Sequence, residues 1–289
     1  MDDTQEASGQ ARSTAPIGHR RRPGWRPPWP LLFSELVGTA LLVMVGLSVV
    51  VLDFAGASPV ARLLPSPGAR RLLTGFLFGA VGALIAVSPV GRISGAHINP
   101  VVTLAFWLRG KLKGSHAVGY VVAQLAGAVL GAIPLLLWGR MGRDVQFGAT
   151  VPGPAYGPTV AMAGETAATA ALVVSLFFFL SRRRIRHFTP LLFPFLYAVM
   201  VYLEAPLSGT STNPARSLGP AVISGDWQGW WVYWIGPALG TLLAVGAHGM
   251  GWLGCFEVEV AKLFHFHHDP YGVFLPRGNG AAEAKPEAE

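Results

Sequence analysis

Two asparagines stand directly ahead of a proline in closely similar settings. One is Asn99-Pro100 in SGAHINPVVT (Ser94 to Thr103), and the other is Asn213-Pro214 in SGTSTNPARS (Ser208 to Ser217). The side-chain oxygen of Asn caps a helix well, and Pro suits the first helical position because its missing N–H would have no partner there. The residue before Pro is kept out of helical geometry, so each motif reads as an extended loop turning abruptly into a helix. Helices over Pro100 to Leu108 and Pro214 to Ser224 would rise about 14 to 17 Å, roughly half the apolar thickness of a bilayer. Alone, either pair reads as an ordinary turn. Together they read as two helix N-termini aiming free N–H groups and positive dipole ends at one point. With its oxygen spent in capping, each Asn keeps an NH₂ to donate into the space between. A water or hydroxyl there accepts two hydrogen bonds and cannot take a proton from its neighbour, while the positive field repels cations.

Other residues extend this chemistry. Arg216 falls in the first turn of the second short helix, where the dipole disfavours a cation. Carbonyls of Ser208 to Thr212 are its expected acceptors, with a role in narrowing the outer mouth; a snorkelling side chain is the alternative. Glu35 and Glu165 lie at membrane depth, where a carboxylate is seldom left facing lipid. They are expected to bind buried N–H groups of the loops before each Asn-Pro, with His97 in the same supporting group; a proton relay is the other reading. His265, His267 and His268 lie in a juxtamembrane segment without paired Cys or acidic ligands, a weak metal pattern. No metal and no cofactor is expected.

The elements that must position these residues are apolar. Hydrophobic residues make up 52% of the chain and charged ones only 13%, against about 25% charged in soluble domains. Six apolar windows follow, at Leu31 to Leu52, Leu72 to Val90, Val118 to Leu137, Val160 to Leu180, Leu191 to Leu207 and Trp231 to Leu253. Glycines at Gly75, Gly79 and Gly82, and at Gly127 and Gly131, suit close helix packing in lipid. The net charge of +7 is not arranged for nucleic acid. Arg12, Arg20, Arg21, Arg22 and Arg26, then Arg109, Lys111 and Lys113, then Arg182, Arg183, Arg184 and Arg186 all fall on the side that carries both termini, which is therefore cytoplasmic. Arg62, Arg70, Arg71, Arg140 and Arg143 on the opposite side weaken that contrast without reversing it. Residues 1–30 read as a basic tail without a cleavable signal, 31–254 as the membrane domain and 255–289 as a second tail. The lone Cys255 allows no intrachain disulfide.

ELVGTALLV around Glu35 and ETAATAALV around Glu165 are copies of one pattern, and Tyr120, Ala123 and Gly127 parallel Tyr233, Gly236 and Gly240. The chain is thus a duplication, 31–138 and 159–254, each copy holding three spans and a half-helix. Three is odd, so the second copy is inserted upside down, and the half-helices enter from opposite faces. The expected fold is all-α: six transmembrane helices plus two re-entrant half-helices.

These residues resemble the major intrinsic protein family, the aquaporins and aquaglyceroporins. The resemblance covers about residues 31–254 and rests on SGAHINPVVT, GTSTNPARSLGPA (Gly209 to Ala221), the two Glu-x₃-Thr spans and AQLAGA (Ala123 to Ala128). It implies a passive pore in every subunit of a homotetramer in the plasma membrane, excluding protons and ions. Its constriction falls on Asn99, Pro100, Val101, Asn213, Pro214 and Ala215, with Val101 replacing the usual Ala. Its filter falls on Arg216, on Thr210, on Val201 by counting back twelve from Asn213, and on Gly79 by counting back twenty from Asn99. A ring of Gly79, Val201, Thr210 and Arg216 would be wide, which suits glycerol, urea or a metalloid hydroxide. Ser217, Ala221, Tyr233 and Trp234 instead resemble the water-channel side of the family. Glu204 is read either as a partner for an Arg on the outer side or as an acidic vestibule beside Arg216. Outside the family, inverted repeats also serve secondary transporters, but no coupling carboxylate adjoins Asn99 or Asn213.

Overall fold

The structure, a computed structural model, describes residues 28–249, 258 and 261–263. The basic cluster before the first span, Cys255, and His265, His267 and His268 lie outside the described residues.

Every described helix long enough to matter is an apolar segment with a definite start. Helix α1 (Trp29–Phe54) begins directly after Pro28. Helix α2 (Pro67–Val87) is capped by the Ser66 hydroxyl, which accepts from Ala69 N. It stops at Ser88, because Pro89 cannot continue it; the Ser88 side chain instead caps a short helix, Pro89–Ser94, by accepting from Gly91 N. Half-helix α3 (Pro100–Leu108) follows, then α4 (Gly114–Ala132), which tightens into a 3₁₀ segment over Ile133–Trp138. The second copy supplies α5 (Pro158–Ser181), α6 (Thr189–Ser208), half-helix α7 (Pro214–Ser224) and α8 (Val232–Gly249). The boundaries of α3 and α7 coincide with those read from the Asn-Pro pairs. Among the described residues, five helices are long and apolar enough to cross a membrane, and α8 is a shorter apolar helix. Large apolar side chains such as Leu84, Val118 and Leu137 face outward, as a lipid environment requires.

The packing repeats with the sequence. Helix α1 packs on α4, and α5 packs on α8 in the same way, while α2 and α6 join the two copies. Each half-helix leans on the third span of the other copy, α3 on α8 and α7 on α4. Glycines set the closest approaches. A Cβ on Gly127 would come within 2.2 Å of the Leu36 carbonyl oxygen, and one on its counterpart Gly240 within 2.3 Å of the Thr166 oxygen. Leu36 and Thr166 each follow a buried Glu, so the same glycine seats the same helix in both copies. A Cβ on Gly75 or Gly79 of α2 would come within 2.2 and 2.4 Å of the Tyr197 and Phe193 carbonyl oxygens of α6. Gly82 differs, since its Cβ would meet only a Leu42 methyl at 3.9 Å.

Candidate functional site: two half-helices and two chambers

The loops that deliver the half-helices have nearly the same backbone. Gly95 and Gly209 have φ of 86° and 83°, Ala96 and Thr210 54° and 55°, Ile98 and Thr212 42° and 51°. Left-handed geometry at non-glycine residues is unfavourable, so each loop must be held from outside. Glu35 does this in the first copy. Its carboxylate accepts from the Ser94 hydroxyl (2.6 Å), His97 N (2.9 Å), Ile98 N (2.7 Å) and Gln124 Nε2 (2.7 Å). Glu165 does so in the second, accepting from the Ser208 hydroxyl (2.6 Å), Ser211 N (2.6 Å) and Thr212 N (2.7 Å). Two tyrosines complete the pairing, each 2.8 Å from its acceptor: Tyr120 donates to the Ser94 carbonyl and Tyr233 to the Ser208 carbonyl. Both carboxylates are fully buried, and the described contacts give them loop-holding partners.

At the crossing point the Asn side chains do two things. Asn99 Oδ1 accepts from Val101 N at 3.0 Å, and Asn213 Oδ1 accepts from Ala215 N at 3.0 Å and Arg216 N at 3.3 Å. Their amides then reach across. Asn99 Nδ2 donates to the Thr212 carbonyl at 2.9 Å, and Asn213 Nδ2 to the Ile98 carbonyl at 3.0 Å. An amide carries two hydrogens, so one on each Asn remains for a third molecule. Pro100, Val101, Pro214 and Ala215 are buried at this junction.

Two cavities flank it. The distal one, on the face away from Trp29, has a volume of about 180 Å³ and is lined by Val201, Thr210, Arg216, Phe78, Tyr197, Arg71 and the loop at Gly148. The proximal one is smaller, about 40 Å³, and is lined by Asn99, Asn213, His97, Gly79, Phe193 and Leu263. Phe78 and Tyr197 line both, with ring centroids 6.1 Å apart.

Three expectations need correction. Gly79 does not line the distal chamber with Val201, Thr210 and Arg216. Its Cα faces the Phe193 backbone, and the neighbouring Phe78 takes the lining position, its ring 5.8 Å from the Arg216 guanidinium carbon. A count back from Asn99 crosses the helix break at Ser88-Pro89, and a single residue there moves the register by one. Arg216 is not held by the loop before it; Nη1 donates to the Gly148 carbonyl at 2.7 Å, in the connection between α4 and α5. Gln146 and Phe147, at φ of 49° and 53°, turn that carbonyl inward. Glu204 does not open on the outer mouth and makes no direct bond to an arginine among the described residues. It is 6% exposed and accepts from, or donates to, the Ser208 hydroxyl beside Glu165.

Several contacts carried no signal in the sequence. His97 stacks on Phe106, and its Nε2 donates to the Ala261 carbonyl at 3.0 Å. Leu263 N donates to the Gly95 carbonyl at 3.0 Å. A piece of the C-terminal segment therefore lies against the loop that carries the first Asn-Pro. Thr150, Ser211 and Ser217 form a hydroxyl chain behind the second, at 2.6 and 2.7 Å.

The chain is similar to known proteins in sequence and in fold. The chain is 33% identical over 220 residues to the lens fiber major intrinsic protein of Gallus gallus, spanning 75% of this chain and 79% of that one. It is 32% identical over 235 residues to aquaporin NIP1-2 of Oryza sativa subsp. japonica, spanning 76% and 71%. Its fold is similar to the X-ray structure of the aquaglyceroporin from Plasmodium falciparum, with a TM-score of 0.62, 20% identity, and coverage of 77% and 96%. The Major intrinsic protein family matches residues 27–248, and with paired half-helices, duplicated loops and this extent of match, the chain belongs to that family.

Proposed function

We propose that this channel passes water as its main solute, down a concentration gradient and without a cofactor, through a pore running between the two chambers. The observation that carries the reading is the reciprocal Asn bonding. It fixes both amides and leaves each one hydrogen for an oxygen in the pore. A single-file water oriented this way has no free acceptor for a proton, and both helix dipoles oppose cations there. Phe78, Val201, Thr210 and Arg216 form the distal filter. An aromatic ring where a glycine was expected narrows it, which together with Ser217, Ala221, Tyr233 and Trp234 favours water over larger solutes. The small Val201 and Thr210 support a second reading, passage of glycerol, urea or a metalloid hydroxide. The basic clusters flanking the spans support cytoplasmic termini, and the family resemblance supports a homotetramer in the plasma membrane.

Stopped-flow light scattering of protein-containing vesicles separates the two solute readings. Rapid shrinkage under an impermeant sugar, persisting when glycerol replaces the sugar, is the expected result. Rapid reswelling in glycerol would overturn the preference for water.

A further inference from the structure

We propose that the distal chamber is a binding site for a small oxyanion of the carboxylate type, held between Arg71 and Arg216. The chamber is lined by both arginines and by no Asp or Glu. Arg71 rests on the Tyr202 ring with its guanidinium carbon 5.9 Å from the centroid, and its buried Nε has no acceptor among the described residues. Arg216 gives one N–H to Gly148 and keeps others of its five. Thr210 also lines the chamber. Carboxylates lie behind the wall: Asp53 accepts from Thr74 at 2.5 Å, and Glu165 and Glu204 share Ser208, with one Glu204 oxygen left without a hydrogen bond among the described residues. Two guanidinium groups lining one cavity whose wall holds no carboxylate fit a planar oxyanion, which accepts from guanidinium in pairs.

An anion seated there lies across the route proposed above, so its effect on flux rests on that reading, while its binding does not. Isothermal titration of the purified protein with sodium formate, against sodium chloride at matched ionic strength, reads binding alone. Saturable formate binding is expected, weakened roughly tenfold in Arg71→Gln and partly restored in Arg71→Lys. Thr210→Val serves as a second variant that keeps both charges, with weaker binding expected. Absence of saturable binding, or equal affinity in Arg71→Gln, overturns the site. Vesicle water flux measured in parallel falls as formate fills the site. Formate binding with unchanged flux upholds the anion site and counts against the route.

Independently, we infer that the C-terminal segment narrows the proximal chamber. Leu263 lines that chamber, and two hydrogen bonds, His97 Nε2 to Ala261 O and Leu263 N to Gly95 O, fix the segment in place. Ala261, Lys262 and Leu263 are all buried. No side chain fits at Gly95, where a Cβ would come within 2.8 Å of the Ala261 oxygen. This inference rests on the pore reading, and protein-dependent water flux in the unmodified channel tests that reading first. With flux present, Leu263→Ala in the full chain is expected to raise it and Leu263→Trp to lower it. Equal flux in all three overturns the inference.

Discussion

Asn99 and Asn213 each hold the other's loop: the amide of the first donates to Thr212 and the amide of the second to Ile98, at 2.9 and 3.0 Å. Neither half-helix tip is complete without the opposite copy. Most of the conclusions about conduction follow from this exchange.

Asn213→Asp replaces the amide with an acceptor facing the Ile98 carbonyl. The lost bond and the new repulsion cost about 1 to 3 kcal/mol. Expected outcomes are a lower melting temperature in detergent, reduced water flux, and a proton leak read by a pH-sensitive dye inside the vesicles. Full retention of proton exclusion would show that the dipoles suffice without the amide.

Glu35→Ala strips acceptors from His97 N, Ile98 N, the Ser94 hydroxyl and Gln124 together. Each buried donor left unsatisfied costs about 1 to 3 kcal/mol, so the variant is expected to lose its fold, read as aggregation on gel filtration. Glu165→Ala should behave alike, because its partners are the matching atoms of the second loop. Thr39→Val, one turn further along α1, provides a mild comparison.

Gly79→Ala and Gly82→Ala differ by one turn of α2 but meet different surroundings. At Gly79 the methyl would lie 2.4 Å from the Phe193 oxygen, forcing α2 away from α6 at a cost of about 1 to 3 kcal/mol. At Gly82 it finds room, and the gain in helix propensity of about 0.5 to 1 kcal/mol is expected to show as equal or higher thermal stability. Equal melting temperatures for the two variants would contradict the close approach.

Phe78→Ala is expected to widen the distal filter. The ratio of glycerol to water permeability should rise, since Phe78 stands between the chambers opposite Tyr197. No change in Phe78→Ala together with a fall in Gly79→Ala would return the filter position to Gly79.

The half-helices, the spans and the duplication were legible because each leaves a local mark: Asn-Pro for a capped corner, long apolar windows, and paired Glu-x₃-Thr. The positions reached by counting were less secure. Val201 and Thr210 line the distal chamber with Arg216, but the break at Ser88-Pro89 displaced Gly79 in favour of Phe78. The acceptor for Arg216 was not legible, since a backbone carbonyl has no residue type and Gly148 is presented only through the left-handed turns at Gln146 and Phe147. Nor was the contact of Ala261 and Leu263 with the first loop, because a three-residue segment has no periodicity from which to infer a partner.

The exchange of half-helices between copies also bears on how the protein is made. When the first copy enters the bilayer from the ribosome, α3 has no α8 to lean on and Asn99 has no Thr212 carbonyl to reach. The first half must wait, incompletely satisfied, for the second to arrive. Residues 1–157 and 158–289 expressed as separate polypeptides should therefore be degraded singly and protected when synthesised together.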